Sequence, residues 1–520
     1  MLRERRRRLW LLARPLCGIA LAGVAIGVER IEVESHGRPE NSPTANARSR
    51  NQVGVGNRPN LLVITTDDQT MAQFSRRSMP FTWRFFRRSG SMFSNSLSVP
   101  PLCCPDRAGF LTGEYAHNHG VLTNQSGYFY LTEKENTLPV WLNRAGYRTG
   151  LVGKYLNDYP ALGPTTAPGW DEFFAAGGET VGYRDFEIGD NGRARHFSGE
   201  SYSTDVYTRH AEGFIRGAAG RGRPFFLWLT YNAPHTVPDG SSPCPGNRAQ
   251  PKSTSEYSHF ANAPLPQTPA LHERDVRDKG RWVRRKPPVA GKRLARVNKN
   301  WRCALAALPP VDRGLRSIVG ELRSMDELDR TVIVFTSDNG YFYGEHRIPD
   351  DKKLPYDPSL RVPLAISAPP GIDSGSPPSR IGALVSNVDL AQTLLDYARA
   401  RPCKAADRCR TIDGHSLRPL LAGRTPAWTK NRAIPIELDE DFTYKALRTP
   451  NLLYMRLVAD RLGKLARARI ELYNLRRDPY ELHNLWTVGH ATNRSLGRHL
   501  AGRMRRLTHC VGTRGARACP

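Results

Sequence analysis

Three short apolar runs end in residue types that hold ligands or move protons. Asn60–Thr66 runs into Asp67-Asp68, and Thr331–Ser337 runs into Asp338-Asn339. Phe225–Tyr231 leads through Asn232, Ala233 and Pro234 to His235. Carboxylates and a carboxamide are hard oxygen ligands, and an imidazole exchanges protons near neutral pH. A lone aspartate after a strand is more often a turn or a helix cap. Three such ends in one chain favour a shared site, because open α/β sheets bind ligands beyond the carboxyl ends of their strands. A further run, Pro101-Leu102-Cys103-Cys104-Pro105-Asp106-Arg107, adds a thiol pair followed closely by an arginine.

The three runs are apolar and rich in β-branched or aromatic residues, the pattern of buried strands. Helical patterns lie between them, at Leu138–Ala145 and Leu315–Leu328, so strands and helices alternate as in an α/β domain. Residues 250–302 break that rhythm, and residues 274–302 hold twelve Lys or Arg. This stretch reads as a basic surface insertion, either a polyanion contact or a solvated loop. After about residue 432 short strand-like segments and a closing helix indicate a smaller carboxyl-terminal subdomain. The expected layout is a catalytic domain over 58–432 and a subdomain over 433–520.

The segment Pro101–Gly113 resembles the sulfatase signature, Cys-x-Pro-Ser-Arg followed by two spacers, two apolar residues and Thr-Gly. Gly146-Tyr-Arg-Thr-Gly-Leu-Val-Gly153-Lys154-Tyr-Leu156 is similar to the second signature of that family, and Glu471–Leu485 to its carboxyl-terminal strand and helix entry. With Asp67-Asp68 and Ser337–Gly340, the resemblance spans residue 59 to about 486. Three further features are most similar to the N-acetylglucosamine-6-sulfatase branch. They are Cys103-Cys104-Pro-x-Arg, Tyr115-x-His117-Asn118-His119 and Gly153-Lys-Tyr-Leu-Asn157.

The resemblance implies an α/β fold, with a large mixed central sheet flanked by helices and a smaller antiparallel carboxyl-terminal sheet. It implies hydrolysis of sulfate esters on sulfated carbohydrate, of glucosamine-6-sulfate type. Cys103 would be oxidised to formylglycine (3-oxoalanine) by a formylglycine-generating enzyme. One hydroxyl of the aldehyde hydrate attacks sulfur, and the other then expels sulfate. A plain thiol would leave a thiosulfate that is not easily released. Asp67, Asp68, Asp338 and Asn339, with the modified Cys103, would hold Ca²⁺, Mg²⁺ being the alternative; irregular oxygen cages suit Ca²⁺. Arg107 would hold the hydrated aldehyde, and Lys154 and Lys352 would pair with sulfate oxygens. Adjacent Lys353 is the alternative to Lys352. His235 is the candidate acid for the leaving oxygen, and Asn157 and His346 are further substrate contacts.

Two positions depart from the family pattern. Asp106 stands where Ser, Thr or Ala is usual, placing a carboxyl beside the nucleophile. Leu156 stands where many arylsulfatases carry His. Asn339 favours a single-metal site, since two-zinc phosphoesterases of the superfamily typically place His there. Two other functions compete: a phosphomonoester, phosphodiester or phosphonate hydrolase on the same scaffold, and a non-catalytic polyanion binder with unmodified Cys103.

Composition sets the frame for these readings. The 520 residues carry 76 basic and 49 acidic side chains, a net charge of +27. With 39% hydrophobic residues and 45 Gly in addition, the chain is an ordinary globular protein, neither a disordered polycation nor a multispan membrane protein. Arg outnumbers Lys 63 to 13, so codon bias shares in the charge. No helix-turn-helix, zinc or RNA-binding pattern accompanies it, and nucleic-acid binding is not expected. Residues 1–28 combine a basic start with an apolar stretch broken by Arg14, the pattern of a bacterial export signal. An uncleaved membrane anchor is the second reading, and residues 29–57 read as a disordered linker. Nine cysteines agree with export, to a periplasmic, cell-surface or secreted location. The spacings suggest disulfides 403/409, 510/519 and 244/303, and leave Cys104 as a buried thiol.

Overall fold

Asn60–Thr66 (β1) is buried at all seven positions, as a parallel strand covered on both faces must be. The computed structural model describes residues 58–519 apart from 126, 178–181, 220, 221 and 374. The export signal and linker expected over 1–57 lie outside those residues. The strands β2 Ser91–Phe93, β3 Arg148–Gly153, β4 Glu172–Ala176, β5 Phe186–Asp190 and β6 Arg193–Phe197 follow in sequence. After them come β7 Phe225–Thr230, β8 Thr331–Ser337, β9 Leu364–Ser367 and β10 Arg380–Ile381. All ten form one sheet, in the order β10-β2-β9-β8-β1-β7-β3-β4-β5-β6. The five strands from β8 to β4 are parallel, and antiparallel β9 and β5 flank them, giving the large mixed sheet the sequence implied.

Alternate residues of β1 serve opposite layers, as a period of two dictates. Leu62 and Ile64 pack with α1 (Pro80–Ser89), α3 (Ser203–Ala218), α4 (Gly291–Ala306) and α5 (Pro309–Ser324). Leu61 and Val63 pack with α2 (Cys103–Thr112) and α6 (Val388–Ala398). The expected helix at 315–328 starts earlier and ends sooner. Prolines open α5, where a missing N–H costs nothing, and Asp326 at φ 55° turns the chain out after Ser324.

The carboxyl-terminal sheet is an antiparallel meander of β11 Ile434–Asp439, β12 Thr443–Arg448, β13 Leu452–Asp460 and β14 Gly463–Asn474. Leu500, Met504 and Leu507 of α7 (Ala491–Leu507) cover it, together with Val276 and Val283. The basic stretch over 250–302 is therefore woven into the packed body. Several of its cations are matched there. Lys279 is fully buried against Glu273 and Asp278 at 2.9 and 3.0 Å, and Arg277, Arg281 and Arg296 pair with Asp275, Asp460 and Asp350.

Disulfides join Cys244 to Cys303, Cys403 to Cys409 and Cys510 to Cys519, while Cys103 and Cys104 are buried free thiols. Among the described residues no helix is long and apolar enough to cross a membrane.

Candidate active site

The strand ladders deliver the polar residues one step past their own ends. The amide of Asp338 donates to Thr66 O at 3.1 Å, that of Asp67 to Ala233 O at 3.2 Å, and that of Lys154 to Thr230 O at 3.2 Å. Adjacent parallel strands thus set Asp338, Asp67 and Lys154 at one edge of the sheet. Asp68 follows at φ 66°, a left-handed turn that lets two consecutive carboxylates serve the same side. Gly153, at φ 105°, ends β3. A Cβ there would stand 1.9 Å from Thr230 O, so no other residue lets the strands close at this point.

Cys103 enters from the opposite layer as the first residue of α2, a ten-residue helix buried along its whole length. Its sulfur lies 3.4 Å from Asp67 Oδ1 and 2.8 Å from Lys352 Nζ. The dipole of α2 puts positive potential here, which suits an anionic ligand. Gly127 packs on the neighbouring thiol, where a Cβ would stand 2.2 Å from Cys104 Sγ. The amide of Cys104 donates to Asn124 Oδ1 at 2.9 Å. Asn124 lies 20 residues from Cys104 in a loop, with no sequence signal to mark it.

Three carboxylates and three cations interlock around the sulfur. Arg107 Nε donates to Asp338 Oδ2 at 2.9 Å and Arg107 Nη1 to Lys154 O at 2.8 Å. Lys154 Nζ lies 2.5 Å from Asp67 Oδ2, and Lys352 Nζ lies 2.5 Å from Asp68 Oδ1. Burial opposes ionisation of Asp67, but Lys154, with His235, Arg107 and Lys352, holds its carboxylate well below the usual range. Asp338 goes the other way, pushed up by burial and by the charge of Asp67. Burial and Asp67 also push the Cys103 thiol up. His235 Nε2 lies 3.7 Å from Asp68 Oδ2, and burial lowers its pKa.

Ligand atoms of Asp67, Asp68, Cys103 and His235 all lie within 4.8 Å of one another. Asp338 stands just behind them, its Oδ1 accepting from the Asp68 amide at 3.3 Å. Asn339 Nδ2 donates to Asp68 Oδ1 at 2.5 Å, while its Oδ1 is buried with no hydrogen-bond partner among the described residues. Crowded carboxylates and an orphaned carbonyl oxygen are a donor set that fits a hard divalent cation.

Lys353 does not face this cluster. Its backbone, at φ 83°, turns the side chain to Glu440 and Asp441, 2.8 and 2.6 Å away. Asn157 lies beside Cys104, with its Oδ1 buried and without a partner among the described residues. His346 has its own partners. It is fully buried, its Nδ1 is 2.7 Å from Glu273 Oε2, and its ring packs on Tyr356. Leu156 is buried in the apolar layer that holds Tyr155 and Trp228. Asp106 is buried and interacts with Ser98 and Val99. Burial and the charge of Asp338 push its carboxyl well above the ordinary range, against the bond to Ser98. Ser98 Oγ donates to Asp338 O at 2.5 Å, and Asn387 clamps Val99 N and Asp106 O at 3.1 and 2.8 Å. Sequence reading missed Ser98 and Asn387, since each acts across 240 residues or more.

Residues 59–400 match the family model described as sulfatase, and residues 344–509 match that of N-sulphoglucosamine sulphohydrolase, C-terminal. The extracellular sulfatase SULF-1 homolog of Drosophila melanogaster is 33% identical over 388 residues, 72% of this chain and 32% of that protein. N-acetylglucosamine-6-sulfatase of Homo sapiens is 32% identical over 384 residues, 70% of this chain and 65% of that protein. The chain spans from about a third to just over half of the length of the first curated relatives it matches. A structure solved with its substrate D-glucosamine-2-N,6-O-disulfate superposes with a TM-score of 0.70 at 24% identity, covering 86% of this chain and 97% of the other.

Proposed function

The chain belongs to the sulfatase family, and on that premise we propose that it hydrolyses sulfate esters on sulfated carbohydrate, of the glucosamine-6-sulfate type. The observation that carries the reading is the convergence on Cys103. Its sulfur sits at the positive end of a buried helix, beside Lys352 and among Asp67, Asp68 and His235. Similarity to N-acetylglucosamine-6-sulfatases and to a structure solved with a sulfated glucosamine supports the sugar class.

In this reading Cys103 carries the formylglycine modification, installed by a formylglycine-generating enzyme, whose hydrate supplies an oxygen nucleophile and a second hydroxyl to release sulfate. Asp67, Asp68, Asp338 and Asn339, with the modified Cys103, would hold Ca²⁺ or Mg²⁺, which supplies charge to polarise nucleophile and sulfate. With the carboxylates so engaged, Lys154 and Lys352 are free to pair with sulfuryl oxygens, where negative charge grows in the transition state. Arg107, fixed by Asp338 and the carbonyl of Lys154, orients the modified side chain. His235, at the mouth of the cluster, gives a proton to the departing alcohol oxygen. The charge of an arriving sulfate ester favours its protonated form. Asn157 Oδ1, a buried acceptor beside the helix entrance, contacts substrate.

Export supports the same picture. Three disulfides need an oxidising compartment, and an extracellular sulfatase is among the similar proteins. Membrane association would follow only if residues 1–28 stay attached.

Peptide mass spectrometry across residues 98–113, paired with turnover of glucosamine-6-sulfate, tests the reading. Expected are the mass loss of –CH₂SH becoming –CHO, and sulfate release that Cys103→Ala abolishes without unfolding the protein. Turnover by the Cys103→Ala variant would sink it. So would phosphate or phosphonate esters outrunning sulfates on the same preparation.

A further inference from the structure

From Gln69 to Pro105 the chain carries no Asp or Glu, yet it carries Arg76, Arg77, Arg84, Arg87 and Arg88. All five are exposed. Arg84, Arg87 and Arg88 follow the i, i+3, i+4 spacing of one face of α1. Four of the five, with Trp83, line a surface depression of about 290 Å³. Arg84 and Arg77 also border a second depression, of about 380 Å³, that includes Arg316.

Among the described residues none of these arginines pairs with a carboxylate. Some exposed arginines elsewhere do: Arg195 with Asp190, Arg216 with Glu321, Arg277 with Asp275 and Arg296 with Asp350. The nearby acids are already engaged. Both oxygens of Asp312 cap the start of α1 through Phe81 N and Thr82 N, and Glu256 pairs with Arg313. Like charges three and four residues apart on a helix repel, and among the described residues no carboxylate relieves them, although Arg87 lies over the Trp83 ring at 5.1 Å. An external polyanion does. Planar guanidinium groups grip sulfate oxygens two at a time, and the exposed part of Trp83 offers a face for a sugar ring.

We propose that the α1 face is a second binding site, an exosite for a linear sulfated polysaccharide. The choice of a sulfated glycan over other polyanions rests on the proposed sulfatase activity; the anion site itself does not. Arg76 follows Asp68 by eight positions, which bounds their separation at roughly 29 Å of extended chain. In this proposal a polymer of several sugar units held on α1 reaches from that face to the cluster at Cys103.

The test is binding of the full chain to immobilised heparin across a salt series. It compares Arg84→Glu/Arg87→Glu/Arg88→Glu, the matching triple Gln variant, and Arg498→Glu on the distant α7 as a control. Each triple variant should bind about tenfold or more weakly, and the slope of log affinity against log salt should fall by roughly two to three. Turnover of a small sulfated sugar should stay at the wild-type level while KM for the polymer rises. Unchanged heparin binding by folded triple variants, or an equal loss in Arg498→Glu, overturns the exosite. Duplex DNA or anionic vesicles that outcompete heparin at equal charge overturn its assignment to a sulfated glycan. Binding is read without turnover, so an inactive enzyme refutes the proposed function and leaves this result standing.

Discussion

The ammonium of Lys352 lies 2.8 Å from the sulfur of Cys103, while the adjacent Lys353 points to Glu440 and Asp441. Neighbouring lysines therefore have opposite fates. Lys352→Ala should lower kcat/KM by about 10²–10³, the scale of losing one preorganised charge at a developing oxyanion. Lys353→Ala should leave turnover within a few-fold of the wild type and cost only stability at the Glu440–Asp441 contact. Steady-state kinetics of both variants decide it; an equal loss in the two refutes the assignment.

Asp106 is buried beside Ser98 and Val99, where burial and the charge of Asp338 raise its carboxyl pKa well above the ordinary range and so favour the uncharged form near Cys103. Asp106→Asn, isosteric and uncharged, should keep both turnover and the thermal midpoint close to the wild type, within about 1 kcal/mol of stability. A collapse of activity in a folded Asp106→Asn protein would show that an ionised carboxylate is needed.

Chelated protein should gain stability when Ca²⁺ is added, by about 2.7 kcal/mol at a hundredfold excess over the dissociation constant. The orphaned Asn339 Oδ1 and the crowded aspartates supply the affinity. Asp338→Asn should weaken that shift, as read by thermal unfolding with and without the ion. A wild-type midpoint indifferent to both Ca²⁺ and Mg²⁺ would remove the cation from the site.

His117 joins α2's neighbourhood to the carboxyl-terminal sheet through Glu437, 2.5 Å from its Nδ1, and to the carbonyl of Cys510. Burial alone would lower its pKa, but these partners raise it above the ordinary 6.5. A raised folded pKa means stability that is fully present below the unfolded value and lost as pH climbs through the folded one. The difference in midpoint between wild type and His117→Gln should therefore shrink as pH rises from about 6 to about 9. A difference that grows over that range contradicts the pairing.

Much of the architecture was legible because strand ends announce themselves. β1, β7 and β8 match the three apolar runs almost to the residue, and Asp67, Asp68, Asp338 and Asn339 follow them directly. The partner of His346 was not legible: Glu273, from the basic stretch, holds its Nδ1 at 2.7 Å. That stretch itself looked like free positive charge. Folding matches some of its cations, Arg281 and Arg296 among them, with acids drawn from distant segments, Asp460 and Asp350, which no local count reveals.

Local chemistry thus determined the chemical inventory: which residue types stand at strand ends, where helices alternate, and which cysteines pair over short spans. These follow from period, burial and spacing, and they survive in one dimension. Orientation did not. Whether Lys352 or Lys353 faces Cys103, where Asp106 turns, and which arginines stay unpaired depend on contacts between residues hundreds of positions apart. Only the packed structure brings those partners within hydrogen-bonding distance, where a fraction of the chain's charge is cancelled and the rest is left to bind.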